Sequence, residues 1–263
     1  MITSERYGFV HIPKAGGSSI NLVLRRHFGD EMRVVSVFDF ANFGDELADI
    51  RVLSGHVPYV FFEMEEAPRR LFTVLRDPSR RVISTFRYIL ATKTHYAHGY
   101  VTRRRLSIAQ CFHHPVLKIE MTNFQTKMLG WRPSRALSWP SNGREKLGDF
   151  FSVYNEFLHS DVDRATLDAA VDHLSRRVLV AMTESEDSLS SLCKTITGAS
   201  PLPVPQENKT PDTPYEVTPE DLDAIEQHNH WDNELYRAAQ GLIDVDLNAT
   251  GPIVRRPLSH LEG

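Results

Sequence analysis

Short apolar segments alternate with segments of helical periodicity along the chain. Residues 7–12 (YGFVHI) form an apolar run that ends at a proline, and after a short loop the apolar residues between 20 and 24 recur at helical spacing. Residues 71–75 (LFTVL) form a second apolar run. After this run, Pro78 is at a position that favours the first residue of a helix, and the apolar residues between 82 and 90 recur at helical spacing. Each apolar run, together with the helical pattern that follows it, predicts a strand, a loop and a helix in that order.

The other segments continue this alternation. Further strands are predicted at residues 33–38, 51–54 and 178–182, and helices at residues 107–112, 121–129, 163–177, 184–197 and 218–241. Strands that alternate with helices indicate an α/β fold with a mostly parallel sheet flanked by helices.

Length and composition narrow the class of protein. A chain of 263 residues with 41% hydrophobic and 24% charged residues is ordinary for a globular protein and excludes disorder, collagen and coiled coil. We expect a single domain over residues 1–263. Its core is expected at 7–241, with a proline-rich loop or lid at 199–214 and a C-terminal tail at 242–263.

The sequence also predicts where in the cell the protein is located. Two cysteines cannot form a disulfide framework, and the N-terminal residues do not read as a secretory signal. The longest apolar runs fall far short of the roughly 20 residues that a membrane helix needs. We therefore expect a soluble, cytoplasmic protein without a membrane span.

The charges are distributed unevenly. Residues 78–119 contain eight of the 30 Lys and Arg residues and none of the 34 Asp and Glu residues, so this segment carries +8 and the rest of the chain −12. Such a segment indicates an anionic ligand or partner. The alternative is a solvated basic face that is balanced by acidic residues folded against it.

The loop between the first predicted strand and helix is rich in hydrogen-bond donors. Residues 11–19 read HIPKAGGSS. The two glycines allow the backbone to turn its N–H groups towards a ligand, the helix N-terminus adds a favourable dipole, and Lys14 and two hydroxyls supply further donors. This predicts an anion site, with a plain glycine-rich turn as the alternative. The loop is not a Walker A motif, because the lysine precedes the glycines.

A second anion motif, LRDPSRRVIS at residues 75–84, follows the second apolar run. Ligands of open parallel sheets bind outside the carboxyl ends of the strands, so Arg76 should lie at the same edge as Lys14. A guanidinium together with the hydroxyl of Ser84 suits a phosphate monoester. The alternative is an ordinary ion pair between Arg76 and Asp77 at the start of the helix.

The two motifs together resemble those of the nucleotide-dependent sulfotransferases, particularly the glycan type that includes the heparan sulfate and uronyl 2-O-sulfotransferases. HIPKAGGSS is similar to the family's loop for the 5′-phosphosulfate, and RDPSRRVISTFRY is similar to its 3′-phosphate motif. The resemblance implies a P-loop-like nucleotide-binding fold and the cofactor 3′-phosphoadenosine 5′-phosphosulfate (PAPS). It implies cofactor contacts from Lys14, Ala15, Gly16, Gly17, Ser18, Ser19, Arg76 and Ser84.

A candidate base follows the predicted strand at 51–54. The segment Gly55-His56-Val57 resembles the Gly-His-Val segment of the uronyl 2-O-sulfotransferases, in which the histidine acts as general base. An imidazole titrates near pH 6.5 and can accept a hydroxyl proton at neutral pH. We therefore predict His56 as the base, with a structural histidine as the alternative.

Weaker resemblances continue towards the C-terminus. Residues 123–126 (NFQT) look like the family's Asn-x-Gln-x segment, and residues 231–236 (WDNELY) look like its closing helix. Residues 208–210 (NKT), in the proline-rich loop, resemble a lid that closes on the nucleotide. This last resemblance implies further cofactor contacts from Lys209 and Thr210.

The function that the resemblance implies is transfer of a sulfuryl group from PAPS to a hydroxyl, which releases adenosine 3′,5′-bisphosphate (PAP). Lys14 would stabilise the leaving phosphate oxygen, and His56 would deprotonate the acceptor. Together with the basic segment, the resemblance indicates a carbohydrate acceptor, and an acidic carbohydrate would match that segment. The alternative acceptors are a small metabolite and a lipid-linked sugar. No nucleic acid partner is expected.

No metal is expected either, because no histidines or cysteines have convincing metal-ligand spacing. Two alternatives for the function stay open. One is a small-molecule kinase on a related fold, and the other is a non-catalytic module that holds a nucleotide or polyanion.

Overall fold

Five short strands form a parallel sheet. The computed structural model describes residues 5–39, 46–47, 49–63, 68–134, 144–199 and 215–248. The strands are β1 (Tyr7–Val10), β2 (Met32–Val35), β3 (Val52–Gly55), β4 (Arg70–Leu75) and β5 (Val178–Met182). Their order is β2-β3-β1-β4-β5, and each pairing of neighbours is parallel. The predicted α/β fold with a mostly parallel sheet is therefore confirmed.

Helices make up most of the rest of the described chain. They are α1 (Gly17–Phe28), α2 (Tyr59–Glu63), α3 (Pro78–Ala91), α4 (His98–Arg104), α5 (Ile108–Phe112), α6 (Phe124–Gly130), α7 (Arg144–His159), α8 (Arg164–Arg176), α9 (Glu186–Thr197), α10 (Pro219–His228) and α11 (His230–Asn248). The apolar pattern did not predict α2, α4 or α7. Within the described ranges, none of the helices combines the length and the apolar character that crossing a bilayer requires.

Helices cover both faces of the sheet. Successive strand residues point to opposite faces, and β4 shows this alternation clearly. Leu71 and Leu75 belong to a core that includes residues of α6, α8 and α11, whereas Phe72 and Val74 belong to a core with residues of α1 and α9. Coverage of both faces is what a parallel sheet requires. Because β1 lies between β3 and β4, the segments that follow these three strands meet at the middle of the carboxyl edge.

Local sequence signals fix the start of α3 and the end of α9. Asp77 caps α3, where its side chain accepts a hydrogen bond from the backbone N–H of Arg80 at 2.9 Å, and Pro78 is the first helical residue, as predicted. Gly198 follows α9 with a φ of 69°, in the left-handed region that favours glycine. The predicted end of that helix is confirmed.

The long final helix that the pattern predicts consists of two helices, α10 and α11, with Asn229 between them. Asn229 is buried, and its side chain donates a hydrogen bond to the backbone oxygen of Ile225 and accepts one from the backbone N–H of Asn123 at 2.9 Å. The apolar periodicity continues across this turn, so it gives no sign of the break. The second of these helices also extends beyond its expected end near residue 241, to Asn248.

Helices α6 and α11 cap each other. Asp232, in the first turn of α11, accepts hydrogen bonds from the backbone N–H groups of Gln125 and Thr126 at 3.2 and 2.8 Å. The side-chain oxygen of Asn123, just before α6, accepts bonds from two N–H groups in the first turn of α11. Asp232 also lies 3.9 Å from Nε of Arg81, and both side chains are fully buried. The position of α6, which the candidate site uses, therefore depends on α11.

Candidate functional site

A cleft of about 1990 Å³ runs along the carboxyl edge of the sheet. It is lined by the residues that directly follow four of the strands, which are His11 after β1, His56 after β3, Arg76 after β4 and Thr183 after β5. Side chains of α3, α6, α7 and α9, together with Tyr96 and the turn that ends at Glu120, also contribute to the lining. Parallel strands end at one edge, and this topology brings distant segments of the chain together.

Most of the predicted site residues line this cleft. They are Lys14, Gly16, Gly17, Ser18, Ser19, His56, Arg76 and Ser84. The side chain of Ala15 instead lies in the core, and its backbone N–H donates to the oxygen of Ile12 at 3.3 Å. A cofactor contact from Ala15 stays a prediction. Lys209 and Thr210 fall outside the described residues, so their contacts stay predictions as well.

The loop after β1 leads directly into the N-terminus of α1. Gly16 has a φ of 81°, in the left-handed region, and no described side chain caps the helix. A Cβ on Gly17 would lie 2.1 Å from the His11 ring, so this position also requires glycine. The first N–H groups of α1 thus lie at the cleft without a side-chain cap, an arrangement that suits an anion.

Lys14 and Arg76 bring two cationic groups to this loop. Lys14 has a φ of 66°, which is uncommon outside glycine, and its carbonyl accepts a hydrogen bond from Nη1 of Arg76 at 3.0 Å. Its Nζ lies 4.3 Å from the centre of the Tyr88 ring. Burial lowers the pKa of Lys14, and the charge of Arg76 lowers that pKa further. A ligand with more than one negative charge would stabilise both cations in this position.

The backbone of Arg76 is held by Gln125 in α6. The Gln125 side chain accepts a hydrogen bond from the N–H of Arg76 at 3.0 Å and donates one to its carbonyl oxygen at 2.8 Å. Glu184 lies 4.0 Å from Nε of Arg76 and also accepts from the backbone N–H of Asp77 at 3.2 Å. The nearest carboxylate partner of Arg76 is therefore Glu184, while Asp77 acts as the cap of α3.

His56 is held in one tautomer. Its Nδ1 lies 2.7 Å from the backbone oxygen of His11, which can only accept, so Nδ1 carries the proton and Nε2 carries the lone pair. The His56 side chain is exposed at the cleft. Partial burial of the ring nevertheless lowers the pKa of His56, and the bond to His11 and the charge of Glu120 oppose this effect. A neutral imidazole with its lone pair on Nε2 can accept a proton at neutral pH.

A second histidine, His11, lies against the first. Its ring centre is 4.3 Å from that of His56 and 5.1 Å from that of Phe9, on which it stacks. Burial and the neighbouring His56 lower the pKa of His11 to about 3, so this ring stays neutral. Sequence reasoning did not select His11 as a site residue, although it is the first residue after β1 in the motif.

Sequence reasoning also missed a carboxylate in the cleft, Glu120. It accepts a hydrogen bond from the Tyr96 hydroxyl at 3.1 Å, and Nε2 of His95 lies 3.9 Å from its carboxylate. Burial raises the pKa of Glu120, but the contacts with His95 and Tyr96 outweigh that effect and the pKa is lowered. Glu120 is therefore ionised at neutral pH. No local motif marks it, because its place depends on the packing of its turn beside α3.

Thr183 joins three segments at the cleft. Its hydroxyl lies 2.8 Å from the backbone oxygen of Ala15 and 3.0 Å from that of Leu75, to which its N–H also donates at 2.8 Å. The loop after β1 and the end of β4 are thereby fixed to the end of β5. Among the residues that the structure describes, no three His, Cys, Asp or Glu side chains are placed to share a metal ion.

No family model matches the chain, and no curated protein matches it. Among solved structures, the chain is similar to mouse sulfotransferase SULT7A1 in its complex with PAP. The two share 14% sequence identity, with 94% of this chain and 90% of that chain covered and a TM-score of 0.39.

Proposed function

We propose that the protein transfers the sulfuryl group of PAPS to a hydroxyl of a carbohydrate or sugar-containing acceptor. The observation that carries the proposal is the shared cleft. The loop after β1, Arg76 with Ser84, and His56 all line it, although they follow three different strands. Two anion sites beside a neutral base match a donor with two anionic ends and an alcohol acceptor.

The phosphosulfate end of the donor would lie on the loop at the N-terminus of α1. There Lys14 would stabilise the negative charge that develops on the bridging phosphate oxygen, together with the N–H groups of Gly17 and Ser18. Arg76 and Ser84 would bind the 3′-phosphate through a guanidinium and a hydroxyl. Lys209 and Thr210 are proposed to close over the nucleotide, as the resemblance of their segment to a lid implies.

In the proposed step the acceptor oxygen attacks sulfur in line with the leaving phosphate oxygen. The bond between sulfur and that phosphate oxygen breaks, a bond between sulfur and the acceptor oxygen forms, and the acceptor proton passes to Nε2 of His56. The products are a sulfate ester and PAP. The hydrogen bond from Nδ1 to the His11 carbonyl holds the ring in place and stabilises the imidazolium that forms.

The first test concerns nucleotide selectivity. PAP should raise the melting temperature, while ATP and ADP should do so much less, because Arg76 and Ser84 are proposed to bind a 3′-phosphate, which ATP and ADP lack. At a PAP concentration 100-fold above Kd the stabilisation is about 2.7 kcal/mol, or roughly 5–10 °C for a chain of this size. Thermal shift titrations measure this directly. Equal stabilisation by ATP would instead support the kinase alternative.

A variant of Arg76 makes this test specific. Arg76→Ala should remove most of the preference for PAP over ATP. Arg103→Ala is the matched control, since Arg103 is exposed, belongs to the same basic segment and does not line the cleft. An unchanged preference in Arg76→Ala would remove this residue from the 3′-phosphate site.

A second prediction concerns the leaving group. Lys14→Ala should lower kcat by about 100-fold, because removing one donor that stabilises developing charge has an effect of this order. The melting temperature should change little, since the Lys14 side chain is half-buried and does not belong to the core. Steady-state kinetics with PAPS and a thermal melt separate the two effects, and exposed Lys93→Ala serves as the control. Wild-type turnover in Lys14→Ala would contradict the role.

A further inference from the structure

The positive charge of the cleft is similar in size to the negative charge of the proposed donor. The described Lys and Arg side chains that line it are Lys14, Arg76, Arg80 and Arg87. Arg80 and Arg87 lie on the same face of α3 as Ser84, one turn before and one turn after it. A phosphate monoester carries about two negative charges, so PAPS with its phosphosulfate carries roughly four. Bound donor therefore neutralises these cations.

The carboxylates of the cleft differ in their surroundings. Both carboxylate oxygens of Glu184 are engaged, one by the backbone N–H of Asp77 and the other by the hydroxyl of Tyr236 at 3.0 Å. Glu120 has hydroxyl and imidazole neighbours, and its charge acts on His56. Glu120 and His56 thus line the same cleft, and the negative charge of Glu120 acts on the proposed base.

Aromatic side chains occupy the space between Lys14 and Glu120. Tyr88 lies under Nζ of Lys14 and meets the His95 ring edge-on at 5.7 Å, and His95 stacks on Tyr96 at 4.5 Å. Tyr88 and Tyr96 line the cleft with 40% and 60% of their surface exposed. Ligand pockets are lined mainly by apolar and aromatic side chains, with a few polar groups that orient the ligand. The faces of the two tyrosine rings suit the apolar side of a sugar ring or an aromatic group.

A carboxylate or sulfate on the acceptor would be unfavourable here. The anionic group would be desolvated where it contacts the Tyr88 and Tyr96 rings. The negative charge of Glu120 would also repel it. At an effective dielectric constant of about 20, like charges several ångströms apart repel strongly enough to lower the affinity by more than about tenfold.

We propose that the acceptor group bound beside His56 is uncharged, and that Glu120 determines this specificity by excluding uronic acids and other anionic acceptors. The proposal rests on the proposed function, because it assumes that the donor occupies the cationic part of the cleft. It narrows the acceptor to a neutral sugar or alcohol with an apolar or aromatic face.

The test compares two probes that differ by one carboxylate, p-nitrophenyl β-glucoside and p-nitrophenyl β-glucuronide. Their binding to the PAP-saturated protein is measured by titration calorimetry, with PAP binding measured first. The glucoside should bind at least about tenfold more tightly than the glucuronide. In Glu120→Gln the difference should shrink to less than about threefold, mainly because the glucuronide binds better. Glu186→Gln, which removes another carboxylate of the cleft at the start of α9, should keep the wild-type ratio.

The possible outcomes separate the two proposals. Failure of PAP to bind contradicts the proposed function itself. If PAP binds but the glucuronide binds as tightly as the glucoside, or neither glycoside binds, the proposed acceptor specificity is overturned. A wild-type preference for the glucoside that Glu120→Gln retains in full would assign the selectivity to other residues and overturn the role of Glu120. The wild-type comparison requires no variant to fold.

Discussion

His56→Ala is expected to reduce sulfuryl transfer by about 10²–10⁴-fold, the usual contribution of a positioned general base. PAP binding should stay nearly unchanged, because the proposed contacts of the nucleotide come from the loop after β1 and from Arg76 and Ser84. Transfer of labelled sulfate to an acceptor library measures turnover, and calorimetry measures PAP affinity. His159→Ala is the matched control, since His159 also lines the cleft but lies at the end of α7.

The pH profile adds a second signature of His56. Protonation of Nε2 removes the lone pair that accepts the proton, so kcat/KM for the donor should fall on the acid side. Burial lowers the pKa of His56 in the structure, so this fall should lie below the ordinary imidazole value of about 6.5. The residual activity of His56→Ala should lack this acid limb.

Other outcomes would assign His56 a different role. If the side chain were only structural, the substitution would lower the melting temperature and weaken PAP binding and turnover together. Full transfer activity in a folded His56→Ala protein would exclude it as the base, and Glu120 would become the next candidate in the cleft.

Asp232→Ala is expected to lower the free energy of unfolding by about 3–5 kcal/mol, because it leaves a buried charge without its partner. Asp232 accepts hydrogen bonds from the N–H groups of Gln125 and Thr126 and from the Thr126 hydroxyl. Its buried carboxylate also lies 3.9 Å from Nε of Arg81. Burial already lowers the pKa of Arg81, and the charge of Asp232 opposes that effect. Urea unfolding of the two proteins measures the difference.

Asn233→Ala provides the matched control. Asn233 is the next residue in α11. Its side-chain amide donates an exposed hydrogen bond to the Glu226 carboxylate at 2.8 Å. Its removal should change the free energy of unfolding by less than about 0.5 kcal/mol. A loss below about 1 kcal/mol in Asp232→Ala would contradict the stabilising role assigned to this carboxylate.

The parts of the fold that could be predicted depend on local signals. The run at 178–182 is apolar throughout, and the run at 71–75 contains one polar residue, the buried Thr73, because these strands are covered on both faces. Polar residues follow both runs. Pro78 and Gly198 mark helix ends because their backbone geometry fits those positions and few others. Once the strands were predicted to be parallel, the convergence of Lys14, Arg76 and His56 on one edge followed from topology.

The parts that could not be predicted depend on contacts between distant side chains. Gln125 holds the backbone of Arg76 across 49 positions of sequence, and nothing local to either residue indicates that pairing. The turn at Asn229 likewise depends on Asn123, 106 positions earlier, while the apolar stripe continues through it. Glu120 enters the cleft only because its turn packs beside α3, so the sequence near His56 gives no sign of it.

The mutual capping of α6 and α11 has a consequence for the order in which the protein is completed during synthesis. Gln125 emerges from the ribosome long before Asp232, which lies 107 positions later and supplies the cap of its helix. Until that late segment is made, the first N–H groups of α6 have no side-chain acceptor. Gln125, which holds the backbone of Arg76, then lies in a helix that is not capped. A nascent chain that already contains both anion motifs therefore cannot hold them in their final geometry. Premature termination before α11 would yield a chain that contains the proposed phosphate-binding residues but not the assembled site.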